Sequence, residues 1–199
     1  MLGLLGVILA YLLGAVPFGY LVVKFTRGDD VRASGSGNIG ATNVLRTAGR
    51  AMGLTTLFLD IAKGFIAVWI AAKLTDDAAP WTSLAALAVM AGHAYPVFLG
   101  FKGGKAVASF IGAFAYLTPL PLFAVTLVFV VTVAVTRHIS AGSILGAATF
   151  PFGVWLILHP EWQITAAAFI AGAFVVYRHQ SNIQRLKAGT ENVFTWKKR

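Results

Sequence analysis

Three polar segments hold the residues whose types and spacing could handle a phosphorylated ligand. The first is Ser34-Gly35-Ser36-Gly37-Asn38-Ile39-Gly40-Ala41-Thr42-Asn43, closed by Arg46. Successive glycines expose backbone N–H groups and permit the left-handed conformations from which anion nests are built. Ser36, Asn38, Thr42 and Asn43 add side-chain donors, and a short helix starting at Thr42 or Asn43 would present its N-terminus to an anion. The blander reading is a flexible Gly/Ser linker; the density of donors and the closing arginine argue against it. The segment is not a Walker A loop, because Gly35 and Gly40 have the spacing but Ala41 stands where the lysine is needed.

The second segment is Gly100-Phe101-Lys102-Gly103-Gly104-Lys105. Lys102 and Lys105 could hold a phosphate by charge while Gly103 and Gly104 let the backbone come close. Plain positive-inside anchoring is the competing reading. The third is Arg178-His179-Gln180-Ser181-Asn182-Ile183-Gln184-Arg185-Leu186-Lys187-Ala188-Gly189-Thr190-Glu191. Asn182 and Arg185 are three apart and share a helix face. Arg178 and Arg185, seven apart, are expected to align as well. Ile183 and Leu186 suggest a tail lying amphipathically on the membrane surface. A solvated basic tail drawn to anionic lipid accounts for Lys197, Lys198 and Arg199 but less well for His179, Asn182 and Glu191.

Within the apolar stretches, Asp60 and Lys63 sit at i, i+3 on one helix face. An intramembrane charged pair is a functional hypothesis by default, with a self-neutralising structural pair as the alternative. His93 reads first as a hydrogen-bonded packing residue. Ser143, shortly after Arg137 and His138, could donate to a ligand or serve as a helix N-cap. What is missing also constrains the chemistry. The chain has no paired-carboxylate site, no HExxH zinc motif and no GxSxG elbow. It lacks a His-x4-Asp motif too: five residues after His93, His138, His159 and His179 stand Phe98, Ser143, Ile164 and Gln184. An enzyme built on these residues has no evident protein general base.

The elements that must position these groups are apolar spans. The 199 residues are 58% hydrophobic and only 12% charged, about half the charge of an ordinary soluble domain. Mean hydropathy is +0.78. The formal net charge of +9 would point to nucleic acid in a soluble protein, but here the basic residues lie between apolar runs, so no nucleic acid partner is expected. The absence of cysteine excludes disulfides and thiolate metal sites, and no metal or cofactor is expected.

A helix needs about 20 mostly apolar residues to cross the hydrocarbon core. Residues 2–23 supply the first, with Gly14, Pro17 and Gly19 as kink or close-packing points. Lacking a basic n-region and a cleavage site, this stretch reads as a transmembrane helix rather than a signal peptide. Further spans are expected at 51–72, 81–99, 107–117, 122–135, 144–158 and 162–177. That makes about seven; the fourth is short and has Pro119 and Pro121 beside it, so five or six spans with a re-entrant segment is the competing count. The connections 24–50, 101–105, 136–140 and 178–199 carry 14 of the 16 basic residues, which puts those connections in the cytoplasm. The opposite connections have only Lys73, beside Asp76, Asp77 and Glu161. The expected protein is thus an all-α polytopic membrane bundle of one domain, residues 1–199, with its N-terminus outside and its C-terminus cytoplasmic. All three polar segments then face the cytoplasm, where they are expected to meet in one pocket.

At these segments the chain resembles the bacterial membrane glycerol-3-phosphate acyltransferases that use acyl-phosphate as donor. The resemblance lies in GSGNIGATNVLR (35–46), GHAYPVFLGFKGGKAVAS (92–109) and HQSNIQRLKAGTE (179–191), with Asp60-Ile61-Ala62-Lys63-Gly64 also similar. Order and spacing match over nearly the whole chain. Gln180 departs from the basic residue found there in many relatives, which weakens that single position. The resemblance implies transfer of a fatty acyl group from acyl-phosphate to the 1-hydroxyl of glycerol 3-phosphate, giving lysophosphatidic acid and phosphate in a bacterial plasma membrane. Gly35, Ser36, Gly37, Asn38, Gly40, Thr42 and Asn43 would then cradle one phosphate, Ser36 to Asn38 in particular the acyl-phosphate head. Arg46, Lys105, Ser143 and Asn182, with His179 and Arg185, would hold glycerol 3-phosphate, and Lys102, Gly103, Gly104 and Glu191 complete the binding groups. Ser36, Arg46, Lys105, Ser143 and Asn182 would be the catalytic set. Either phosphate can sit in either group of residues. A transporter for a phosphorylated metabolite is the second reading, but it would place polar groups near the midplane of repeated halves. A lipid-binding scaffold, the third, would not need such dense glycine and asparagine loops.

Overall fold

The apolar stretches do fold as helices. The computed structural model describes residues 1–195, and it contains no strand among them. Lys197, Lys198 and Arg199 of the basic tail lie outside the described residues. The chain divides into two compact units. The first, Met1–Leu117, contains α1 (Leu2–Ala15), α2 (Phe18–Arg27), α3 (Ala41–Thr47), α4 (Arg50–Thr75), α5 (Ala79–Ala94) and α6 (Val107–Leu117). The second, Thr118–Arg199, contains α7 (Pro119–Thr136), α8 (Ile139–Ile157), α9 (Trp162–Arg178) and α10 (Gln180–Lys187).

Among the described residues, five stretches are long and apolar enough to cross a membrane: Leu2–Arg27, Arg50–Thr75, Ala79–Leu99, Pro119–Thr136 and Ile139–Ile157. Val107–Leu117 and Trp162–Arg178 are apolar but shorter. At 1.5 Å per residue the 11-residue α6 rises only about 16 Å, roughly half the hydrocarbon core.

The first stretch breaks where the sequence places its proline. Val16 is extended because it precedes Pro17, and the helix resumes at Phe18. A break of this kind frees a backbone carbonyl that lipid cannot satisfy. The Nζ of Lys63 on α4 donates to Val16 O at 2.9 Å. In lipid, close van der Waals approach drives helix pairing, and small residues permit it. A Cβ on Gly14 of α1 would strike Val89 O of α5, and one on Gly92 of α5 would strike Tyr11 O of α1. Gly64 of α4 sits likewise against Ser109 O of α6, and Gly112 of α6 against Ile61 O of α4.

Helix α5 stops at Ala94, short of the expected end at residue 99, because Tyr95 precedes Pro96; Val97–Leu99 forms a separate 3-10 turn. The chain then runs back beside the end of α5. Gly104 N donates to His93 O at 3.0 Å and Gly103 N to Ala94 O at 3.2 Å, pairing carbonyls the helix end leaves open. Helix α6 starts only after this segment. It lies along the later part of α4, and Tyr116 Oη donates to Asp77 Oδ1 at 2.6 Å just beyond the end of α4.

In the second unit, Gly142 of α8 faces Phe129 and Val133 of α7, and Gly172 of α9 faces Ala147 O of α8. Helices α9 and α10 are separate, with His179 between them. Arg178 and Arg185 therefore belong to different helices, and the alignment expected from their spacing does not hold.

Candidate active site

Within the first unit, the glycine-rich loop is built around one side chain. Asn43 is buried, and its Nδ2 lies 2.8 Å from Asn38 O, 3.1 Å from Ser34 O and 3.3 Å from Val31 O. Its Oδ1 accepts from Ser36 N at 2.9 Å. Asn43 thus spends its amide on the loop itself. Gly35 and Gly37 take left-handed φ values of 61° and 68°, the conformation the sequence led us to expect. Asn38 Oδ1 closes a local turn by accepting from Gly40 N at 2.8 Å. Helix α3 begins at Ala41, slightly earlier than expected. Ser36, Thr42 and Arg46 are exposed.

Beneath the loop, Val23, Val31, Ile39, Val44 and Ala48 form a small apolar core joined by Tyr20, Met52 and Leu99. Arg27 Nη2 donates to Ala48 O and Nη1 to Thr47 O, so this arginine caps α3. Arg32 forks onto Asp30 at 2.7 and 3.0 Å and lies over the Tyr20 ring. That hydrogen-bonded guanidinium holds the Asp30 carboxyl below the usual carboxylate range.

The lysine segment is framed by backbone strain. Phe101 and Ala106 have φ values of 63° and 61° on either side of Lys102–Lys105. Left-handed backbone costs a non-glycine residue about 1–2 kcal/mol, and such residues collect at functional sites. Lys102 is exposed, Gly103 and Lys105 are half-buried and Gly104 is buried.

Behind Gly104 lies a cluster the sequence only half discloses. Asp60, Lys63, His93 and Ser109 are all buried. Lys63 Nζ is 2.8 Å from Asp60 Oδ1, and His93 Nδ1 is 3.6 Å from the same oxygen and 3.3 Å from Ser109 Oγ. The i, i+3 pair was legible in the sequence. Ser109 escaped it, because its place depends on where α6 begins.

The second unit gathers another set. Buried Asn182 donates from Nδ2 to Glu191 Oε1 at 2.9 Å, and Arg185 Nε is 2.8 Å from Glu191 Oε2. Both therefore lie on one face of α10, as their spacing predicts. Burial pushes the Glu191 carboxyl up, but the hydrogen bonds from Asn182 and Arg185 outweigh it and bring the carboxyl below its ordinary range. Glu191 is acceptor-only and negative, so it orients Asn182 and Arg185 and is a poor direct partner for a phosphate. The Nη groups of Arg185 are not part of that bond. Buried His179 places Nδ1 2.7 Å from Val175 O, which requires the proton on Nδ1. Ser143 is in the second turn of α8 and donates to Ile139 O at 3.0 Å; His138, not Ser143, stands at the N-cap. The chain after α10 is tied to the α7–α8 turn: Phe194 N donates to Arg137 O at 2.7 Å, and His138 Nδ1 is 3.1 Å from Asn192 O. Among the described residues, no group of three His, Asp or Glu side chains comes together as a metal site requires.

Comparison with known proteins matches residues 4–189 to the family model described as glycerol-3-phosphate acyltransferase. A glycerol-3-phosphate acyltransferase of Geotalea daltonii is 49% identical over 93% of this chain and 94% of its own. One of Desulforamulus reducens is 46% identical over 92% of this chain and 90% of its own. Among solved structures, that of PlsY (YgiH), an integral membrane glycerol 3-phosphate acyltransferase, in its glycerol 3-phosphate form matches with a TM-score of 0.91 and 38% identity, over 97% of this chain and 96% of that one. Its lysophosphatidic acid form matches with a TM-score of 0.89 and 37% identity, over 97% and 95%.

Proposed function

The chain belongs to the glycerol-3-phosphate acyltransferase family, and on that premise we propose that it moves a fatty acyl group from acyl-phosphate to the 1-hydroxyl of glycerol 3-phosphate. The hydroxyl oxygen attacks the acyl carbon, the bond from that carbon to the bridging phosphate oxygen breaks, and the hydroxyl proton goes to the departing phosphate. The products are lysophosphatidic acid and inorganic phosphate, the first step of phosphatidic acid and phospholipid synthesis. An acyl-phosphate is a mixed anhydride with a good leaving group, so catalysis by positioning and charge stabilisation suffices and no protein base is required. Ser36, Arg46, Lys105, Ser143 and Asn182 are the catalytic groups of this reading, and the chain acts as one enzyme domain.

One observation supports the reading most directly. Buried Asn43 donates to the Ser34 and Asn38 carbonyls of loop 34–43 and to Val31 O before it, while Ser36, Thr42 and Arg46 are exposed. A loop braced from within keeps its outer donors in place for a phosphate. We read the chain as crossing a bacterial plasma membrane seven times, with the N-terminus outside and the basic connections, and hence the reaction, on the cytoplasmic side. Alanine in place of Arg46 or Lys105 tests the assignment. Each removes a charge-assisted contact, and kcat/KM with acyl-phosphate and glycerol 3-phosphate should fall by a factor on the order of 100. Full activity in both variants contradicts it.

A further inference from the structure

We propose that the buried Asp60–Lys63–His93–Ser109 cluster is a positioning device that seats Gly104 and thereby fixes Lys105. The inference rests on the role of Lys105 given above for its kinetic arm only.

The connections run from helix to segment. Lys63 is tied at two points, to Val16 O at 2.9 Å and to Asp60 Oδ1 at 2.8 Å, and its ammonium lies over the Phe18 ring. Asp60 is thereby held on α4 with Oδ1 3.6 Å from His93 Nδ1. Ser109 Oγ, at 3.3 Å, approaches the same ring nitrogen from α6. With Nδ1 faced from two helices, the imidazole has one orientation. Its other edge lies against Gly104: a Cβ there would collide with His93 Nε2. The backbone of the same residue pins the segment as well, since Gly104 N donates to His93 O at 3.0 Å. His93 therefore meets Gly104 through both its ring and its carbonyl, one residue before Lys105.

The energetics favour a placing role over a stabilising one. Burying an ion pair costs desolvation that its Coulomb attraction does not reliably offset, so a buried pair is weak evidence for stability. Apolar side chains on α4 and α6 would pack there at less cost. A ring whose Nδ1 is faced by both a carboxylate and a hydroxyl gives what apolar packing cannot: a fixed wall, on its Nε2 edge, for a glycine pair that has no side chains of its own to lock it.

A coupled pair of variants tests this. His93→Ala and Gly104→Ala should each lower kcat/KM by a factor on the order of 10 to 100, the loss expected when a reacting group shifts by about an ångström. Removing the ring makes room for the new Cβ, so H93A/G104A should be no worse than G104A alone. Independent packing defects would instead multiply. A second arm does not use activity: labelling of Lys105 by an amine-reactive reagent in detergent, read by peptide mass spectrometry against exposed Lys187. The labelling rate at Lys105 should change several-fold in each single variant and return toward wild type in the double. Multiplied kinetic losses, or unchanged Lys105 labelling in both single variants, overturns the proposal. If His93→Ala does not fold, His93→Gln takes its place in both arms. If the wild-type protein makes no lysophosphatidic acid, the acyltransfer reading fails while the labelling still decides the positioning.

Discussion

At the residue scale, the groups divide into those that face outward and those that brace them. Asn43 holds the first loop, His93 backs the lysine segment and Glu191 joins Asn182 to Arg185. The last has a pH signature. The folded-state pKa of Glu191 lies below its ordinary value, so its contribution to stability is fully present above the ordinary carboxylate pKa of about 4.3 and is lost as pH falls through the lower folded value. Glu191→Gln should thus melt below wild type at neutral pH, with the gap closing as pH drops below about 4. Thermal unfolding in detergent across that range checks this; a gap that is constant with pH contradicts it. These bracing roles were only partly legible. Type and spacing marked Asn43, Asn182 and Arg185 as groups that could handle a phosphate, whereas a binding role for Glu191 came only with the resemblance. Which of them would turn inward depended on loop paths that no local pattern encodes, and the same holds for Ser143, whose hydroxyl bonds back to Ile139 O within α8.

At the element scale, glycine decides how close helices come. Gly64 and Gly112 put α4 and α6 backbone to backbone, and Ser109, which faces His93, sits at that contact. Gly112→Val should therefore lower the melting temperature sharply, by several kcal/mol of overpacking, because the atom in the way is the backbone oxygen of Ile61. Gly153→Ala is the control: its Cβ would meet nothing nearer than 3.8 Å, and loss of a helical glycine should stabilise α8 by about 0.5–1 kcal/mol. Equal melting temperatures for the two variants would contradict this account of packing. Seven apolar segments and the kink at Pro17 were visible in composition and proline placement. The early end of α5 and the half-length of α6 were less so. Residues 95–106 carry enough apolar side chains to read as the end of one span and the start of another, whereas Pro96 and the glycine pair make them a turn and an extended return.

At the scale of the whole molecule, the described residues hold five stretches long and apolar enough to cross a membrane, with most of the basic charge in the connections, and this suits the proposed reaction, in which a greasy donor lies in the bilayer and a polar acceptor in water. Such a boundary suits a donor with a fatty chain and a phosphate head. The central claim is that this donor is an acyl-phosphate. Its most direct test supplies the purified protein with glycerol 3-phosphate and either palmitoyl-phosphate or palmitoyl-CoA, and measures lysophosphatidic acid together with the released leaving group. We expect lysophosphatidic acid and inorganic phosphate in equal amounts from the acyl-phosphate and no product from the thioester. Product from palmitoyl-CoA, or none from palmitoyl-phosphate, contradicts the account.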